Sequence, residues 1–149
     1  MNVRSFIAVV IGGVVDIMVT NILLVPVLIY AMIAGDLTNL PSAELSAALA
    51  SALVDSPGIQ VAGWALGLTA TVLGGYTAAW IARRDEVRNG ALSAWLCMTL
   101  GVLAIAAGHE AAPLWQHAVA FIVSPLGGAF GGMLRLRAVS AHASSVSAA

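Results

Sequence analysis

Asp16 is the one acidic residue in an otherwise apolar run from Phe6 to Met32, within the stretch "GGVVDIMVTN" at residues 12–21. A carboxyl group in that setting can hold a proton, bind a cation or donate a hydrogen bond. It sits ten residues beyond Phe6, about 15 Å along a helix and so near the middle of a hydrocarbon core about 30 Å thick. An ionised carboxylate there costs on the order of 3 kcal/mol even on permissive insertion scales. No Arg or Lys lies inside any apolar run to neutralise it, so Asp16 is expected to be protonated, cation-bound or hydrated. Thr20 at i+4 and Gly12 at i−4 share its helical face, whereas Asn21 is rotated away. Counting inward on the other runs puts Thr69, Thr71, Thr99 and Ser124 at similar depth. With Thr20 they form a candidate polar ring around Asp16 that loads and releases a proton or small cation. The plainer alternative is a protonated Asp16 donating one interhelical hydrogen bond, worth about 0.6–2 kcal/mol.

A second polar group, His109, Glu110 and His117, carries ligand types for zinc. A zinc site needs three or four ligands with an orienting second shell, and Pro113 interrupts a spacing that matches no known pattern. These are expected to be ordinary interfacial side chains, holding neither metal nor haem. The single Cys97 excludes an intramolecular disulfide and dithiol chemistry, and is expected to be a packed, inert thiol. No nucleophile-base pair can be read, so neither an enzyme nor a cofactor is expected. Six arginines, no lysine and a net charge of −1 give no basic stripe, which argues against nucleic-acid binding.

The elements that must position these residues follow from the composition. The chain has 149 residues, 60% hydrophobic and 9% charged, and its mean hydropathy is +0.98. That is far below the quarter or so of charged residues usual for soluble domains, so the solvent is lipid. Four runs are long enough to cross a bilayer as helices, at about 6–32, 59–82, 91–107 and 114–134. The first is too long, and lacks the small-x-small site, to be a cleavable signal. Arg4, Arg83, Arg84, Arg88, Arg135 and Arg137 all fall at the same end of these spans, which places both termini in the cytoplasm. In the turn, Arg83, Arg84, Asp85, Glu86 and Arg88 anchor that topology and pair with one another. Trp80 and Trp95 fall near the arginine end and Trp64 and Trp115 near the other, as two interfacial belts. Between the first two spans, Leu45, Leu49 and Leu53 recur at i, i+4 and i+8 after Pro41-Ser42 and before Pro57-Gly58. That pattern predicts a short amphipathic helix capping the bundle. Residues 138–149, small and polar, are expected to form a disordered cytoplasmic tail. The fold class is thus all-α: a four-helix transmembrane domain over 1–137, with one short amphipathic helix.

Lipid gives no hydrophobic drive between helices, so small residues that let backbones approach mark the contacts. Gly63-x-x-x-Gly67 and the overlapping pairs Gly127/Gly131 and Gly128/Gly132 predict two seams, internal or between copies. Ser124-Pro125 predicts a kink. The segment "GGYTAAWIARRDEVRNGALSAWL", residues 74–96, resembles the central hairpin of small, uncharacterised four-helix bacterial inner-membrane proteins. That resemblance implies the fold and the bacterial inner membrane, and carries over no site. The function expected is a small, self-associating, proton- or cation-coupled transporter or channel using Asp16. The alternative is a non-catalytic accessory or assembly subunit of a membrane complex, with the glycine seams as docking surfaces.

Overall fold

A computed structural model describes residues 2–108 and 113–147, with five helices and, among them, no strand. They are α1 (Val3–Ala34), α2 (Ser42–Asp55), α3 (Pro57–Ala82), α4 (Glu86–Ala106) and α5 (Leu114–Ser147). All but α2 are long and apolar enough to span a membrane. Asn2 caps α1, its side chain accepting from the Ser5 N–H at 2.9 Å, and Pro57 opens α3, where a missing N–H costs nothing. The α3–α4 turn is tight enough to put Arg83 and Asp85 at φ 56° and 47°. Asn89 secures that turn by donating from its amide to the Arg84 carbonyl at 2.7 Å. Of the turn charges, Arg84 and Asp85 meet at 4.0 Å, both well exposed, a pairing that adds little to stability.

Two boundaries differ from those read in the sequence. Helix α4 begins at Glu86 rather than near residue 91, because its charged first turn reaches past the apolar run that hydropathy detects. Helix α5 continues through Pro125 and past residue 134 to Ser147, so the backbone is helical over most of the stretch expected to be a disordered tail. The amphipathic helix α2 lies where expected, with Leu45, Ala48 and Leu49 half-buried and Glu44, Ser46 and Ala47 exposed.

Helices α3 and α4 sit side by side, with α1 against one side of the pair and α5 against the other; among the described residues α1 and α5 do not touch. Large aliphatic side chains such as Val10, Val14, Met18 and Ile22 face outward, while the interior is built from Gly, Ala, Ser and Thr, the pattern of packing in lipid. At Gly74 an added Cβ would lie 2.6 Å from the Gly12 carbonyl oxygen and 2.8 Å from Asp16 Cβ. At Gly128 it would run into the Gly90 backbone, and at Gly131 into the Val72 backbone. The α5 glycines therefore form a seam inside the chain. Gly63 and Gly67 do not: a Cβ at either meets nothing within 4 Å. The close approaches that spacing alone did not reveal are those of Gly12 and Gly13 on α1 and Gly90 on α4.

Burial is concentrated at the arginine end. From Ser5 to Asp16, Ala70 to Ala82, Asn89 to Ala94 and Gly127 to Gly132 each of the four long helices contributes buried residues, whereas beyond the level of Asp16 the buried ones among the described residues are only Ala31 and Ile59. The four long helices are clasped at one end and splayed at the other.

Candidate functional site

Asp16 sits where the clasp ends and is 2% exposed. Gly12 and Gly74 bring α1 and α3 together one turn away, which carries the carboxyl between α3 and α4. Three side chains from three helices meet it. Thr20 Oγ1 on α1 lies 3.4 Å from Oδ1, Thr71 Oγ1 on α3 3.3 Å from Oδ1, and Cys97 Sγ on α4 3.3 Å from Oδ2. The hydroxyl distances exceed the ~2.7–2.8 Å usual for O–H···O bonds, so the cluster has room to tighten. Neither neighbour on α3 or α4 is a cation.

The geometry suits both protonation states. Thr71 Oγ1 also lies 3.0 Å from the Gly67 carbonyl oxygen, and its single hydrogen serves one acceptor at a time. With Asp16 neutral, the carboxyl O–H donates to Thr71 Oγ1 and Thr71 donates to Gly67. With Asp16 ionised, Thr71 and Thr20 turn their hydrogens onto Oδ1, and the Cys97 S–H points at Oδ2. Moving from one state to the other needs rotation of light rotors and no rearrangement of the bundle.

At the splayed end the helices leave an open cavity of about 660 Å³ with Asp16 at its inner limit. Its walls are mainly aliphatic: Leu24 from α1, Val54 from α2, Leu68 from α3, Leu100 from α4 and Val123 from α5. Beside Thr20, Thr71 and Cys97, polar groups enter at Asn21, Gln60, Gln116 and Ser124, and Trp64 adds an aromatic surface. From Thr71 to Gln60 along α3 the cavity runs about 16 Å. Among the described residues lining it, Asp16 carries the one formal charge.

The residues expected to ring Asp16 separate into three groups. Thr20 and Thr71 meet it, and Ser124 lines the same cavity on the α5 side. Thr69 and Thr99 do not belong to the ring: both are exposed on the helix surface, their hydroxyls donating to the Ala65 and Trp95 carbonyls, each at 2.8 Å. Thr69 is two residues from Thr71, about 200° around the helix, so the pair cannot face one neighbour. Gly63 and Gly67 line the cavity wall, where their missing side chains make room. Cys97, expected to be inert packing, is a direct partner of the carboxyl. Its signal lay in the stripe Gly90, Ser93, Ala94 and Cys97, small residues at helical spacing on the face α4 buries.

Of the weaker metal candidates, His109 and Glu110 lie outside the described residues, and His117 is half-buried in the first turn of α5. Among the described residues no three His, Cys, Asp or Glu side chains converge as a metal site. Comparison of the chain with protein-family models, curated proteins and solved structures found no match.

Proposed function

We propose that this protein moves protons or cations across a membrane by loading and unloading Asp16 from the cavity above it. The observation that carries the reading is a buried carboxyl, with partners suited to both of its protonation states, at the inner end of a cavity lined by all five helices. An intramembrane ionisable group facing a cavity is a common mark of an ion pathway. All three partners of Asp16 belong to the same chain, and the α5 glycine seam is used up within it, so the site is proposed to lie within one protomer. The chain is proposed to sit in a bacterial inner membrane with both termini cytoplasmic, since its six arginines share one end. The cavity then faces the outer side.

Flux across a pH gradient in proteoliposomes tests the reading. Asp16→Asn keeps the shape of the side chain and most of its hydrogen bonding while removing the titratable proton. Flux in the parent and none in the variant is the expected result, with amount and folding of protein matched. Parent-level flux in Asp16→Asn sinks the mechanism. No flux in the parent shifts the reading to an accessory subunit, in which the Thr20, Thr71 and Cys97 contacts do no more than pack. For topology, a periplasm-dependent reporter is expected to be silent after Arg137 and active between Asp36 and Asp55.

A further inference from the structure

We infer that the cavity binds a lipophilic organic monocation of drug size, in exchange for the proton on Asp16. The inference rests on the proposed reading of Asp16 as a loading carboxyl and adds the class of ligand. Three observations point to it. A volume of about 660 Å³ lies inside the range of roughly 300–1,000 Å³ typical of small-molecule sites, and is far more than a proton or bare metal ion needs. The walls are mainly aliphatic, and the polar side chains among them are neutral hydroxyls and amides apart from Asp16 and Cys97, so a strongly hydrated ion gives up more than it regains, whereas a cation with buried or delocalised charge loses little. The third observation is charge: among the described residues of the lining, Asp16 is the one charged residue. The described residues at the splayed end carry Asp36, Glu44 and Asp55 and no Arg or Lys. An approaching cation therefore meets negative charge alone, while an anion is repelled. Trp64 on the wall offers an aromatic surface to the same charge.

The exchange balances. Neutral Asp16 plus a monocation gives the ionised carboxylate beside the bound cation and one proton released, so the buried site gains no net charge. Ionised Asp16 is then held by Thr20 and Thr71 through Oδ1 and by Cys97 through Oδ2. Among the described residues of the lining, Cys97 is the other titratable group, and α2 and α5 bring no charged side chain.

The test uses two nearly isosteric probes, methyltriphenylphosphonium and neutral triphenylphosphine oxide, titrated into the full chain in detergent. The expected result is at least about tenfold tighter binding of the phosphonium, tightening as pH rises and releasing about one proton per ligand in weak buffer. In Asp16→Asn the preference, the pH dependence and the proton release are all expected to disappear. Gly63→Leu, which fills the wall two turns beyond Thr71, is expected to weaken both probes. Equal affinity for the two probes, or a phosphonium preference retained in Asp16→Asn, overturns the inference. The infrared C=O band of the protonated carboxyl, identified by its loss in Asp16→Asn, separates the two levels. A band that titrates without phosphonium preference overturns the ligand class and leaves proton loading standing. A band that never titrates overturns both.

Discussion

The two ends of the bundle are built from the same residue types to opposite effect. At the arginine end, glycines on α1, α3, α4 and α5 face one another, and backbones touch where a Cβ would collide. At the splayed end, Gly63, Gly67 and Gly101 face open space, and the same absence of a side chain makes volume. Small residues in a membrane helix thus either close a contact or open a cavity, and the partner across the interface decides which. Asp16 stands at the boundary. The clasp holds its backbone rigidly, with Gly74 one contact away, while the cavity gives its carboxyl access to whatever enters.

The largest expected effect breaks this comparison at its strongest point. Gly128→Leu and Gly131→Leu drive side chains into the backbones of α4 and α3, and overpacking costs about 1–3 kcal/mol or more. Both variants are expected to aggregate in detergent or to melt far below the parent. Gly63→Leu and Gly67→Leu are expected to melt near the parent, since open space receives the side chain. If the two pairs behave alike, the division into clasp and cavity is wrong.

A smaller effect belongs to the boundary itself. Asp16→Leu removes the acceptor that Thr20 and Cys97 reach, and Thr71 keeps its bond to Gly67. The loss is expected to be about 1–2 kcal/mol, readable as a modest drop in melting temperature with the fold intact. Thr71→Val then separates holding from relaying: melting is expected to be nearly unchanged, while flux falls about tenfold because the neutral carboxyl has lost the group that accepts its proton. Collapse of the fold in Thr71→Val would instead make the hydroxyl a structural pin.

How far these features can be read from the sequence depends on which coordinate each needs. Span positions need length and apolarity, both one-dimensional, and the four spans and α2 lie where the pattern puts them. Height in the membrane is also one-dimensional, so counting inward along α3 reaches Thr71, while the i+4 spacing within α1 reaches Thr20. Azimuth is not. Thr69 and Thr99 have the right depth and the wrong face, and only the neighbours α1 and α5 fix which face that is. Gly63-x-x-x-Gly67 shares its spacing with the true contacts and lacks a helix opposite it, because the helices have already splayed at that height. Cys97 was hidden by chemistry: a thiol behaves as a small hydrophobe in most interiors, and only its place opposite Asp16 makes it a donor.

The smallest expected effect tests whether the field at the splayed end matters at all. Asp36, Glu44 and Asp55 are exposed, and exposed charges act across a Debye length of about 10 Å at 0.1 M salt. They are therefore expected to steer a cation toward the cavity without holding it there. Asp55 adjoins Val54 on the lining, so its share of the effect is expected to be the largest of the three. Replacing all three by Asn or Gln should slow association of methyltriphenylphosphonium by about two- to fivefold at low salt, leave dissociation and melting unchanged, and lose its effect near 1 M salt, where the screening length falls to about 3 Å. Asp85→Asn with Glu86→Gln removes the same kind of charge from the clasped end and is expected to change nothing in the binding rate. If the pair at the clasped end slows association as much as the triple replacement does, the ligand enters without regard to the splayed end. If the triple effect persists at 1 M salt, the acids act through the fold of α2 and not through their field.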